Sequence, residues 1–222
     1  MSFESIGLGK LLIAMYATKA DRVRMMRTDI RNEIKKSKGL GNGEGGDFYV
    51  PFWSDAKRHV AGGLDLRDAT AGRIASNEGS RGRLYPKMRD GFLEWWEEKR
   101  RLRNVPFTLI SGSIKARLEV PGLGTIKVEN TLAITIGDDG HRIVYPYFCD
   151  DPALSDEAAR LGLWVMSQCI NGYELKDMRL LDVIAGRSFS AEETPLQRDE
   201  EALFTTRYNE ILREWGALKA TY

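Results

Sequence analysis

The side chains best suited to metal-assisted chemistry here are Glu119 and Glu129, with Lys127 two positions before the second. Carboxylates hold hard divalent cations, and a nearby lysine offsets charge that develops on a reacting oxygen. As strand residues, Glu119 and Glu129 fall on the polar faces of neighbouring strands, where they can converge on one Mg2+ or Mn2+. The competing reading pairs them as surface acids with Lys115, Arg117 or Lys127. Histidine chemistry has little to build on. His59 follows Asp55 by one helical turn without a third ligand, and His141 stands just after a turn. Neither supports a nucleophile and base pair. Cys149 and Cys169 lie in apolar surroundings and read as free thiols of a reducing cytoplasm.

A second chemistry is phosphate contact. From Lys19 to Lys38, eight bases (Lys19, Arg22, Arg24, Arg27, Arg31, Lys35, Lys36, Lys38) face three acids (Asp21, Asp29, Glu33), an excess of five. Arg24, Arg27, Arg31 and Lys35 are the candidate phosphate contacts of this helix, against the alternatives of a solvated face or a surface for a partner protein. Arg81 and Arg83 form a basic turn, and Arg100, Arg101 and Arg103 close the helix that follows. Together they could make a phosphate-binding corner, or the last three could simply suit a helix C-terminus. Phe48, Tyr49, Phe52 and Trp53 crowd four rings into six positions. Rings so close together anchor a core or an interface, or offer a platform on which bases stack. The glycine-rich stretch from Gly39 to Gly46 lacks the preceding strand and closing lysine of a phosphate cradle and reads as a flexible loop.

These groups need a scaffold, and the stretch from 111 to 190 supplies the clearest one. Ile114, Ala116, Leu118 and Val120 alternate with charged residues, which predicts a strand over 113–120. After the turn at Pro121-Gly122 the alternation resumes over 126–136, with Ile126, Val128, Asn130, Leu132, Ile134 and Ile136 on one face. Gly137 to Gly140 predicts a hairpin into a third strand over 142–148, which Pro146 marks as an edge or an early end. A buried helix follows, opened at Asp151-Pro152 or capped by Ser155, then a fourth strand over 178–184. The predicted class is therefore α+β, a small mixed sheet flanked by helices. Ile6 to Lys38 reads as one long helix or two joined ones. Ser54 or Asp55 suits the cap of a short helix, Asp65 caps another, and Pro86 fits the start of the next. Thr194-Pro195-Leu196-Gln197 predicts the start of a C-terminal helix that covers the core.

The order helix, three strands, helix, strand resembles the core of the PD-(D/E)XK nuclease superfamily in its RecB-like form, over roughly 88–190. The resemblance implies a helix glutamate, at Glu97 or Glu98, and a metal-binding carboxylate in the second strand, for which Glu129 is the candidate. It also implies an acid and a lysine in the third strand, where this sequence has Ile143-Val144-Tyr145-Pro146-Tyr147-Phe148, and a glutamine in the following helix, where Arg160 stands. The scaffold pattern is kept and the metal-binding pattern is eroded. The expected function is thus a non-catalytic module that binds DNA, RNA or a partner protein, with no cofactor. The alternatives are a metal-dependent nuclease whose site is relocated to Glu98, Glu119, Glu129 and Lys127, and a structural protein of a homo- or hetero-oligomer.

With 222 residues and a net charge of +1, bulk charge points to neither nucleic acid nor membrane. The expected division is a helical N-terminal region (1–105), a mixed core (106–190) and a C-terminal helix (191–222), in the cytoplasm. The apolar run Leu11 to Met15 lacks a cleavage site and is too short to span a bilayer.

Overall fold

A computed structural model describes residues 3–39, 48–76, 79–100, 104–138 and 140–222. The chain opens with strand β1 (Ser5–Gly7) and helices α1 (Leu8–Tyr16) and α2 (Lys19–Ser37). Helices α3 (Tyr49–Val60), α4 (Leu66–Ser76) and α5 (Gly79–Leu93) follow, and α5 runs on into a π-helical turn, Glu94–Lys99. Strands β2 (Phe107–Leu109), β3 (Ala116–Val120), β4 (Gly124–Val128), β5 (Leu132–Ile136) and β6 (Gly140–Tyr147) lead to α6 (Asp156–Cys169). Strands β7 (Met178–Asp182) and β8 (Arg187–Phe189) and helix α7 (Glu200–Lys219) complete it. The class is α+β, and among the described residues no helix is long and apolar enough to cross a membrane.

The expected single sheet is two. One has the order β1-β4-β3, with β1 and β4 parallel; the other has the order β2-β5-β6-β7-β8, with β6 and β7 parallel across the α6 crossover. The run 126–136 that alternates without interruption in sequence is divided at Asn130, whose φ of 63° lies in the left-handed region. Asparagine reaches that region more readily than other non-glycine residues, so the strand ends there and restarts in another sheet. Alternation survives the break, but its meaning changes. Ile126 and Val128 join a core with α1, α2, α6 and α7, while Leu132, Ile134 and Ile136 join a second core under α3, α4 and α5. The larger sheet is covered on both faces: Ile143, Tyr145 and Tyr147 face the first core and Val144 the second. Pro146 accordingly lies in an interior strand, and β6 continues through it to Tyr147.

Other boundaries also shift. Residues 5–7 are a strand, and α1 and α2 are separate helices, with Thr18 Oγ1 accepting the Asp21 N–H at the start of the second. Helix α3 begins at Tyr49, ahead of Ser54 and Asp55, with Pro51 in its first turn, where a missing N–H costs nothing. Pro86 lies inside α5, which starts at Gly79. Asp65 caps α4 as predicted, accepting the Arg67 N–H at 2.7 Å. Ser155, not Asp151-Pro152, caps α6. The C-terminal helix starts at Glu200, because the Glu200 carboxylate takes the N–H groups of Gln197 and Arg198 at 2.6 and 2.9 Å and holds 197–199 out of the helix. Asp182, buried at the end of β7, accepts from the N–H groups of Leu154, Ile184 and Ala185 and ties the start of α6 to the sheet. Both cysteines are free.

Candidate aromatic cleft

A cleft opens between the β1–α1 junction, α2, α3 and the end of β6. Its volume is about 580 Å³, within the range of small-ligand sites. Each wall has a local cause. Gly9 brings the start of α1 close to β6, where its N–H donates to the Tyr145 hydroxyl at 2.9 Å. A Cβ on Gly9 would lie in contact with that hydroxyl, 3.4 Å away. Tyr145 is buried, and burial raises its phenol to about 12; the Gly9 N–H opposes the rise and the nearby Glu129 carboxylate adds to it. The phenol therefore stays protonated and keeps an O–H on the cleft floor.

Helix α3 supplies the aromatic wall. Tyr49 stacks on Phe148, with ring centroids 4.9 Å apart and planes 7° from parallel, and Trp53 meets Phe148 edge-on at 5.7 Å. Trp53 itself is buried and forms the back of the wall; its indole N–H donates to the Asn130 carbonyl. That bond fixes the left-handed turn between the two sheets to α3, so the residue that divides the sheets also shapes the cleft. Val50, 46% exposed, forms the lip. One turn after Trp53, the Lys57 ammonium reaches the same space. Partial burial lowers its affinity for a proton, and Lys115 lowers it further. Lys10 lines the opposite side and pairs with Asp29 of α2.

The sequence-predicted carboxylates are not assembled. The β3–β4 register sets Glu119 opposite Thr125, which donates to it at 2.7 Å. Glu129 lies four residues beyond Thr125 along the same strand direction, about 13 Å away at the usual rise per residue. Lys127 faces Arg117 across the hairpin, and Glu98 is exposed on the π-helical turn against the other core. Among the described residues no three His, Cys, Asp or Glu side chains come together to hold a metal ion. Asp55, read as a partner for His59, is buried and instead binds Arg73 of α4.

The basic residues divide into three groups. Arg24, Arg27, Arg31 and Lys35 are exposed at helical spacing along one stripe of α2. Met25, beside Arg24, lines the cleft and also a shallower depression that holds Arg24 together with Asp21, Asp29 and Asp151. Arg83 and Lys87 flank the same β6–α6 loop from α5, both within 3.7 Å of Asp150. Arg81 is half-buried over the Tyr85 ring. Arg100 is not a surface contact: its guanidinium is buried over the rings of Trp96 and Phe107. Arg101, Arg103 and most of the glycine-rich loop lie outside the described residues.

Lys10, Lys57 and Asn130 escaped the sequence reading as cleft residues, whereas Tyr145 and Phe148 stand in the third-strand stretch that departs from the nuclease pattern. The available signals were the Gly7-Leu8-Gly9-Lys10 spacing ahead of an apolar helix and an asparagine inside an otherwise regular strand pattern. No protein-family model matches this sequence, and neither a curated protein nor a solved structure shows significant similarity to it.

Proposed function

We propose that this protein is a non-catalytic module that binds single-stranded nucleic acid, taking one unstacked base into the aromatic cleft while α2 follows the phosphates. The observation that carries it is the juxtaposition of the Tyr49–Phe148 stack with the basic stripe of α2, joined through Met25. Single strands are held by this pairing of aromatic platforms with a positive track. A base inside a duplex could not enter the cleft without being unstacked first, which favours single strands. The Tyr145 hydroxyl and the Lys57 ammonium supply polar contacts at the floor and side. Support does not depend on the nuclease-like element order.

The test is fluorescence anisotropy with a labelled single-stranded oligonucleotide across a salt series. Tyr49→Ala is expected to weaken binding by roughly 5- to 150-fold, the worth of one base–aromatic stack, while Tyr49→Phe keeps the ring and the affinity. Removing Arg27 or Arg31 is expected to reduce the slope of log affinity against log salt by about 0.7 each. Duplex of the same sequence should bind more weakly. Absence of binding at low salt, or affinity indifferent to Tyr49, would refute the proposal.

A further inference from the structure

The aromatic cleft carries an acid that ring stacking does not use. Glu129, expected as a metal ligand within a strand, stands just past the end of β4 and lines the cleft half-buried. The bond from the Trp53 indole to the neighbouring Asn130 carbonyl holds this turn against α3, where Lys57 follows Trp53 by one turn. Lys57 lines the same cleft and is also half-buried. Among the described residues neither side chain makes a hydrogen bond or an ion pair, with the other or with a third group. Tyr145 is the third polar group. Its hydroxyl accepts the Gly9 N–H, and its own hydrogen goes to no acceptor among the described residues, although Tyr145 is only 8% exposed. An O–H shielded from water gains most from an acceptor brought to it. Glu129 is near enough for its charge to act on the Tyr145 phenol, so the acid and the hydroxyl share one end of the cleft.

These groups describe an occupant. Lys57 and Glu129 cancel in charge, and Lys10 adds none because Asp29 holds it. The cleft therefore suits a neutral ring whose edge carries both acceptors and donors. A carboxylate binds most strongly to two parallel N–H groups, one on each oxygen. Among the common bases only guanine presents two adjacent N–H donors on its pairing edge, at N1 and the 2-amino group. Beside them lies O6, a carbonyl whose lone pairs accept from both an O–H and an ammonium. Thymine and uracil offer one ring N–H between two carbonyls, so the second carboxylate oxygen would oppose one of them. Adenine and cytosine offer a single amino group beside an unprotonated ring nitrogen.

We infer that the cleft selects guanine from the strand, with the Glu129 carboxylate on N1–H and the 2-amino group, and with the Tyr145 hydroxyl and the Lys57 ammonium on O6. The inference rests on the reading of the cleft as a single-strand site and adds the residue that makes the choice. An unstacked base is commonly read along its pairing edge in this way. Fluorescence anisotropy at low salt tests it, with labelled strands of abasic backbone that carry one central base: guanine, hypoxanthine, adenine, cytosine or thymine. Guanine is expected to bind about 5- to 150-fold more tightly than adenine or cytosine, the worth of one bidentate pair. Hypoxanthine keeps O6 and N1–H but lacks the 2-amino group, and should lose about 10-fold or more against guanine through one charge-assisted hydrogen bond. Glu129→Gln should remove both differences, because the amide sets a donor where the carboxylate offers a second acceptor. With no partner to lose, this variant should keep the wild-type Tm. Tyr49→Ala should instead weaken all five strands together. Equal wild-type affinity for guanine and hypoxanthine, with Tyr49→Ala still weakening both, overturns the inference and leaves the cleft as a single-strand site. A guanine preference that survives Glu129→Gln overturns the role of Glu129. Failure of every strand to bind overturns the inference and the reading beneath it.

Discussion

Replacing Arg160 by alanine is expected to destabilise the protein by about 3–5 kcal/mol, the cost of breaking a buried ion pair from one side. Arg160 lies in α6, 5% exposed, and its guanidinium binds Glu200, 2% exposed, at 2.5 Å and also Asp199. The pair joins α6 to the first turn of α7, and without it Glu200 is a carboxylate buried beside apolar helices. For a chain of this length the loss corresponds to a fall in Tm of about 6–20 °C. The deficit also has a pH signature. Burial alone would raise the Glu200 carboxyl, but backbone N–H groups, chiefly that of Gln197, and the Arg160 guanidinium outweigh it and hold the group below its ordinary value of 4.5. A carboxyl depressed in the folded state contributes stability above its unfolded value, and that contribution is lost as pH falls through the folded one. In Arg160→Ala the part of the depression that the guanidinium supplies is lost, while the backbone N–H groups keep theirs. The difference in Tm between wild type and variant should be greatest at neutral pH and shrink as pH drops below 4.5. A difference that stays constant with pH would show that the cost is packing alone.

The second large effect concerns Gly91. A Cβ there would lie 2.3 Å from the Val183 carbonyl oxygen and 2.4 Å from that of Ile184. Both are backbone atoms in the turn between β7 and β8, so no side-chain rotation relieves the clash. In an open helical site glycine to alanine is favourable by up to about 1 kcal/mol. At Gly91 the sign reverses, and Gly91→Ala is expected to cost about 3 kcal/mol or more as α5 is forced off the sheet. Gly216 in α7 is the internal control. Nothing lies within 4 Å of its missing Cβ, so Gly216→Ala should stabilise by about 0.5–1 kcal/mol. Urea unfolding of the two variants checks both signs.

Much of the scaffold was legible because it is local. The β3–β4 hairpin follows from strict alternation on either side of Pro121-Gly122, and the buried face of α6 follows from its apolar spacing. The division into two sheets was not legible for a specific reason. Alternation has a period of two whichever core the side chains enter, so it runs through Asn130 unchanged while the strand itself stops. The carboxylates misled for a related reason: pattern gives the face of a strand but not the distance along it, and Glu119 and Glu129 share a surface without sharing a neighbourhood. The aromatic wall was visible as composition, in Phe48 to Trp53. Its geometry was not, because Phe52 and Trp53 turn inward to the core while Tyr49 meets Phe148, ninety-nine positions further on. The floor is equally non-local, joining Gly9 to Tyr145 across 136 positions. Arg142 and Arg179 are ordinary basic residues until strand register sets them on one face of neighbouring strands.

The most direct test of the cleft is photo-crosslinking of a single strand that carries one thiothymidine, with the attached residues mapped by mass spectrometry at a concentration that saturates binding. The base is predicted to attach at Tyr49, Val50 or Phe148, and the yield should collapse when Tyr49 becomes alanine. Crosslinks confined to α2, or scattered over surface lysines with the cleft unlabelled, would contradict it.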